Sequence, residues 1–139
     1  AWFTGAAVML GGAPSGLVVA LALLYSFGAH GIMTLNDFKA IEGDTRSGVR
    51  SLPVQLGPER AARLACGVML APQLVVVALL VGVGKPVHAA LVGVLTAAQV
   101  ALMPRLLRDP KARAPWYNGT GVTLYVLGML TSAFAARGL

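Results

Sequence analysis

The 139-residue chain has only five carboxylates: Asp37, Glu42, Asp44, Glu59 and Asp109. Three of them fall within eight residues, in the run Asn36-Asp37-Phe38-Lys39-Ala40-Ile41-Glu42-Gly43-Asp44-Thr45-Arg46-Ser47-Gly48-Val49-Arg50-Ser51. Carboxylates crowded together disfavour one another's ionised form unless positive charge sits among them. Oxygen donors alone suit Mg²⁺, which takes one or two carboxylates and fills its remaining positions with water and substrate phosphates. Lys39, Arg46 and Arg50 are interleaved with the acids. Arginine grips a phosphate through a planar fork and lysine as a point charge. The run therefore has the parts of a Mg²⁺–diphosphate site. A continuous helix would put Asp37 and Asp44 on one face but about 10 Å apart, too far to share one ion. Either Gly43 breaks the helix and lets Asp44 fold back, or each carboxylate serves a different ion and needs a partner cluster that this chain lacks. The bland alternative is a solvated interfacial loop whose ion pairs contribute little.

The composition says what scaffold must hold such a run. The chain is 57% apolar and 12% charged, against about 25% charged in an ordinary soluble domain. This argues against a soluble enzyme domain. Eleven Lys and Arg against five Asp and Glu give a net charge of +6. In a membrane protein that surplus marks loops, and there is too little polar surface here for a nucleic-acid face. Cys66 is the only cysteine, so neither an intrachain disulfide nor a Cys-rich metal site is available.

A membrane-spanning helix needs about 20 apolar residues. Four charge-free stretches meet this: Gly16 to Leu35 over 20 residues, Leu64 to Gly84 over 21, Pro86 to Pro104 over 19 and Ala114 to Ala136 over 23. They are continuously apolar rather than alternating, which rules out barrel strands. Ala1 to Ala13 is uncharged but only 13 residues long. It reads as the end of a fifth helix, closed by a Gly- and Pro-rich turn. With no initiator Met and no basic n-region it does not read as a signal peptide, and the chain reads as a segment of a longer protein. The expected fold class is thus all-α, a polytopic transmembrane helix bundle of four complete spans plus the end of a fifth. Nine basic residues fall in the loops between spans one and two and between spans three and four; Lys85 and Arg137 fall on the other side. The nine-charge side, which carries the acid run, is expected to be cytoplasmic. Gly67, Gly82, Gly93, Gly121 and Gly128 read as sites of close helix approach, and Pro72 as a kink in the second span.

Asn36-Asp37-Phe38-Lys39-Ala40-Ile41-Glu42-Gly43-Asp44, followed by Gly48-Val49-Arg50-Ser51-Leu52-Pro53-Val54-Gln55-Leu56-Gly57, resembles the second aspartate-rich motif of the UbiA-type intramembrane prenyltransferases. The run is most similar to the chlorophyll synthase and bacteriochlorophyll synthase branch of that superfamily. Trp116-Tyr117-Asn118-Gly119-Thr120-Gly121 and Tyr125-Val126-Leu127-Gly128 resemble the C-terminal end of the bacterial members. The family's first motif, NDxxDxxxD, has no counterpart in this sequence. The resemblance therefore implies the C-terminal part of a single nine-helix UbiA-like domain, inactive by itself.

The resemblance implies a reaction as well. A geranylgeranyl or phytyl group would pass from its diphosphate to the propionate carboxylate of a (bacterio)chlorophyllide, with Mg²⁺ as cofactor. Matched residue by residue, Asp37 and Asp44 would be the catalytic Mg²⁺ ligands, with Glu42 between them as a further ligand. Asn36, Lys39, Arg46 and Arg50 would bind the diphosphate, Arg50 foremost. The implied setting is a bacterial inner membrane of the photosynthetic, intracytoplasmic kind, with photosynthetic apoproteins as recipients of the pigment and no nucleic acid involved. The rivals are a UbiA-type enzyme acting on a quinone precursor or haem, and a non-enzymatic helical transporter or assembly subunit. The latter leaves the Asp37–Asp44 cluster without a role.

Other polar residues have plainer readings. His30, seven residues before Asp37, reads as an interhelical hydrogen bonder, with ligation of a chlorin magnesium as its functional alternative. Gln73 and Gln99 read as interhelical hydrogen bonders and Cys66 as a small packer. His88 reads as interfacial, Trp2, Trp116 and Tyr117 as an aromatic belt, and the basic loop Arg105 to Arg113 as topological.

Overall fold

The computed structural model describes residues 13–137, and these are helical almost throughout. The side chain of Ser15 accepts the Val18 N–H and caps helix α1, Gly16–Asp37. A 3-10 turn, Phe38–Ala40, leads into α2, Ile41–Ser47. The short α3, Leu52–Leu56, precedes three long helices: α4, Pro58–Gly82; α5, Pro86–Arg108; and α6, Pro110–Ala135. Each long helix after α1 opens on proline, whose fixed φ suits a first turn and whose missing N–H would find no partner there anyway. α4 and α6 therefore begin further into the basic loops than the charge-free stretches suggest, α5 begins at Pro86 as expected, and the four expected helices all form.

α1 packs along α4, α4 against α5, α5 against α6, and α6 closes on α1. Three helical runs are long and apolar enough to cross a membrane: Gly16–Ser47, Pro58–Gly82 and Pro86–Arg108. The fourth, α6, is 26 residues long but less apolar. Its hydroxyls are satisfied locally. Thr120, Thr123, Thr131 and Ser132 each donate to the carbonyl four residues back, which removes much of the cost of placing them in an apolar phase. Ala1 to Ala13, apart from Ala13, lies outside the described residues, and so does Trp2.

The bundle interior is apolar with two polar knots. Gln73 Nε2 donates to Gln99 Oε1 at 2.9 Å, and Thr96 Oγ1 donates to Gln73 Oε1 at 3.2 Å, tying α4 to α5 as the sequence suggests. Tyr125 donates its hydroxyl to the Tyr25 carbonyl at 2.8 Å, the two rings meet edge to face at 5.4 Å, and Tyr25 Oη shares a hydrogen with Ser132 Oγ. Cys66 is buried as a packer. Of the glycines named from the sequence, a Cβ at Gly128 would lie at ordinary contact distance, 3.7 Å, from Tyr25 Oη of α1 and Gln73 Oε1 of α4, and Gly121 faces the Tyr117 ring of its own helix, but the tightest approaches between helices fall elsewhere. A Cβ at Gly67, Gly82 or Gly93 would meet nothing within 4 Å, whereas one at Gly31 would stand 2.5 Å from the Ala65 carbonyl oxygen.

Candidate active site

The acid run occupies the end of α1 and all of α2. From Gly16 to Ser47 the backbone is helical for 32 residues. Gly43 lies inside α2, so the fold-back of Asp44 at Gly43 does not occur. The interruption falls at the 3-10 turn instead. There Phe38, 2% exposed, is driven into the bundle beside α6 and tightens the chain. α2 ends at Gly48, whose φ of 71° is left-handed and cheap only for glycine. The Val49 N–H then returns to the Asp44 carbonyl at 2.9 Å. Gln55 donates its amide to the Arg50 carbonyl and pins the loop that follows.

Asp37 and Asp44 are half-buried; Asn36, Lys39, Glu42, Arg46 and Arg50 are exposed. No three His, Cys, Asp or Glu side chains among the described residues gather closely enough to hold a metal ion, so Glu42 does not join the two aspartates as a ready-made cage. Glu42 instead accepts from Lys111 Nζ at 2.9 Å, the one ion pair among the described residues. That hydrogen bond, and then the lysine charge, hold its carboxyl below the usual range. Asp37 and Asp44 have no such partner there, nor have Lys39, Arg46 and Arg50. Their oxygens and cationic heads stay available.

The α5–α6 junction lies against this run. Asn118 Nδ2 donates to Asn36 Oδ1 at 3.0 Å, and Lys111 reaches Glu42 across a sequence separation of 69. The basic loop read as merely topological therefore supplies part of the site's frame. Arg105 stacks 4.5 Å over Trp116, and Tyr117 is fully buried with its hydroxyl near the Gln99 carbonyl, so it is no belt residue. Nothing local in the sequence signals the Lys111 and Asn118 contacts. Two further polar atoms beside the run, Ser51 Oγ and Asn118 Oδ1, are buried without a hydrogen-bond partner. Uncommitted carboxylates, uncommitted cations and orphaned polar atoms together suit a ligand that carries both a hard cation and phosphate oxygens.

The UbiA prenyltransferase family model matches residues 1–135, and the chain belongs to that family. With three helices able to span a bilayer, it is an integral membrane protein. Among curated relatives, the "Bacteriochlorophyll synthase 33 kDa chain" of Cereibacter sphaeroides is 66% identical over 138 residues, covering 99% of this chain and 46% of that one. The "Bacteriochlorophyll synthase 34 kDa chain" of Chloroflexus aurantiacus is 48% identical over 134 residues, covering 96% and 42%. The "Chlorophyll synthase, chloroplastic" of Arabidopsis thaliana is 36% identical over 137 residues, covering 98% and 35%. The chain thus spans about half the length, or less, of the curated relatives it matches. No solved structure matches.

Proposed function

We propose that this chain is the C-terminal part of a single-domain (bacterio)chlorophyll synthase, a bacterial one. It transfers a geranylgeranyl or phytyl group from its diphosphate to the propionate of a (bacterio)chlorophyllide. The observation that carries this reading is the identity of 66% to a bacteriochlorophyll synthase chain. The half-burial of both motif aspartates at the end of a span adds to it.

Because the chain stays helical between them, Asp37 and Asp44 would each help to hold a different Mg²⁺ completed by carboxylates outside this chain. Glu42 would join as a further oxygen donor only by exchanging Lys111 for the ion. A bound Mg²⁺ would neutralise a diphosphate and make it a better leaving group. Arg50, Arg46 and Lys39 grip the remaining phosphate oxygens as charge builds on them. Asn36 gives its Oδ1 to Asn118, which leaves its amide N–H groups to donate to a phosphate. As the allylic C1–O bond breaks, its electron pair leaves with the diphosphate and an oxygen of the propionate closes on C1. The acceptor carboxylate is ionised near neutral pH, so no general base is required. The apolar helices keep water away from the cationic chain while the ester forms. The excess of basic residues on the motif side favours a cytoplasmic location for it, in a photosynthetic intracytoplasmic membrane with pigment apoproteins downstream. Alone, the chain offers one acid cluster and is expected to be inactive.

The test joins this chain to the N-terminal half of the Cereibacter sphaeroides relative in a membrane. Bacteriochlorophyllide and geranylgeranyl diphosphate are supplied with Mg²⁺ or with EDTA. Esterified pigment is expected only with Mg²⁺. Asp37→Asn and Asp44→Asn should each lower turnover by about 10² or more, with normal membrane insertion. Full activity in both variants removes the metal assignment; product from quinone or haem acceptors alone replaces the synthase reading.

A further inference from the structure

One ionisable group inside the first span is left over by this scheme. His30 sits in α1 seven residues before Asp37, two turns earlier and about 10.5 Å back along the axis. The two therefore share a face of the helix. The His30 side chain is exposed, and its ring makes no hydrogen bond among the described residues; only its backbone carbonyl is engaged, by Thr34 Oγ1 at 2.9 Å. An imidazole facing hydrocarbon is costly, and such residues inside a membrane pair with something or mark a substrate path.

The ground around His30 narrows the choice of partner. Leu23 is 67% exposed, Phe27 56% and Met33 60%, and all three lie on the same side of α1 as His30. Together they make an apolar strip, broken by the exposed Ser26, with one nitrogen base in it. A planar macrocycle with a central Lewis-acidic metal is complementary to that strip: its faces are apolar, and its metal takes an axial ligand. A neutral imidazole is the commonest side-chain metal ligand. The acceptor in the proposed reaction is such a molecule, and its reacting carboxylate hangs from the ring's edge.

We infer that His30 is the axial ligand to the magnesium of the (bacterio)chlorophyllide. The ring lies on the Leu23–Phe27–Met33 strip, with its propionate directed along α1 toward Asp37. This rests on the synthase reading above. His30 is then a substrate-binding residue that selects metallated over metal-free acceptors. It takes no part in breaking the C1–O bond.

The test uses the joined protein described above, in the wild-type form and as His30→Ala. The acceptors are the magnesium chlorin and its metal-free counterpart. The wild type should show a KM about tenfold lower for the magnesium form, the size of one well-placed contact. His30→Ala should abolish that preference by raising KM for the magnesium acceptor alone, and added imidazole should restore it. The absorption bands of the bound magnesium chlorin should shift between wild type and variant and return with imidazole, independently of turnover. If His30→Ala leaves the KM ratio and the spectrum unchanged while ester still forms, the inference is overturned and the synthase reading stands. An equal loss with both acceptors, accompanied by a lower melting temperature, makes His30 a protein–protein hydrogen bonder and also overturns it. If the wild type esterifies neither chlorin, the underlying reading falls and the inference with it.

Discussion

Replacing Gly31 by alanine should loosen the contact that fixes α1, and with it the position of Asp37. The added Cβ would stand 2.5 Å from the Ala65 carbonyl oxygen and 2.6 Å from Met69 Cγ. The methionine can swing away. The carbonyl cannot, because it belongs to the backbone of α4. Real Cβ atoms essentially never come within 3.0 Å of another heavy atom, so the two helices must part by at least the difference, 0.5 Å. Overpacking of this kind costs about 1–3 kcal/mol, while alanine's better helix propensity returns up to about 1 kcal/mol. Gly67, exposed on α4 with nothing within 4 Å of a Cβ, provides the control. Gly67→Ala gains the propensity term without the clash. The stability difference between the two variants should therefore be about 1–3 kcal/mol in favour of Gly67→Ala. Reversible unfolding of the joined protein in mixed micelles, titrated with SDS, measures it. Since Gly31 lies about 9 Å up the helix from Asp37, only Gly31→Ala should also raise KM for the prenyl diphosphate. Equal stability of the two variants would refute the close α1–α4 approach.

Gln73→Leu removes the bonds to Gln99 and Thr96 and strands the buried Gln99 side chain. It should cost about 1–3 kcal/mol in the same unfolding assay, and Gln73→Leu/Gln99→Leu should recover part of that loss. Lys111→Met removes the main cause of the lowered Glu42 pKa, so carboxyl ¹³C NMR should show Glu42 titrating closer to its ordinary value of 4.5. The linkage runs one way. A depressed folded-state pKa stabilises above the unfolded value, and that gain fades as pH falls through the lowered one. Acidification should therefore weaken the α2–α6 contact in the wild type, and the variant should lack that dependence.

The existence of the helices was legible because a bilayer demands long apolar runs, and the acid run because five carboxylates in so apolar a chain leave few places to look. The pairing of faces was not. A helix surrounded by lipid and by its neighbours is apolar on all sides, so no stripe tells which side meets which partner. Gly28 and Gly31 look no different in sequence from Gly67 or Gly93, yet only the first two face a neighbouring helix at contact distance. Tyr117 stands next to Trp116 near a span end and reads as its interfacial twin, but it turns fully inward while Trp116 stacks with Arg105. The Glu42–Lys111 and Asn36–Asn118 contacts join positions 69 and 82 residues apart. They follow from α6 closing on α1, which no local pattern encodes. Helix ends moved outward, to Pro58 and Pro110, because the charge-free stretches were cut at the first arginine while the backbone carries on into the headgroup region.

The spacing of charges within the run explains why the site can stay open. Asp37 and Lys39 are two residues apart, as are Asp44 and Arg46. On a helix such neighbours point to different sides and do not meet, whereas partners three or four apart would. Because the chain remains helical through Phe38–Ala40 and across Gly43, Asp37 and Asp44 cannot neutralise the cations beside them. Glu42 does stand three residues from Lys39 and four from Arg46, but it pairs with Lys111 of another helix instead, which leaves those two cations open. Asp37 and Asp44 are half withdrawn from water without an ion-pair partner among the described residues. Keeping a charge in that state is costly unless a ligand completes it. Under the proposed function, a diphosphate with its magnesium ions brings the two missing complements together: a cation for each aspartate and anionic oxygens for Lys39, Arg46 and Arg50. A cation placed three or four residues from either aspartate would have been positioned to pair with it and leave that ligand less to bind.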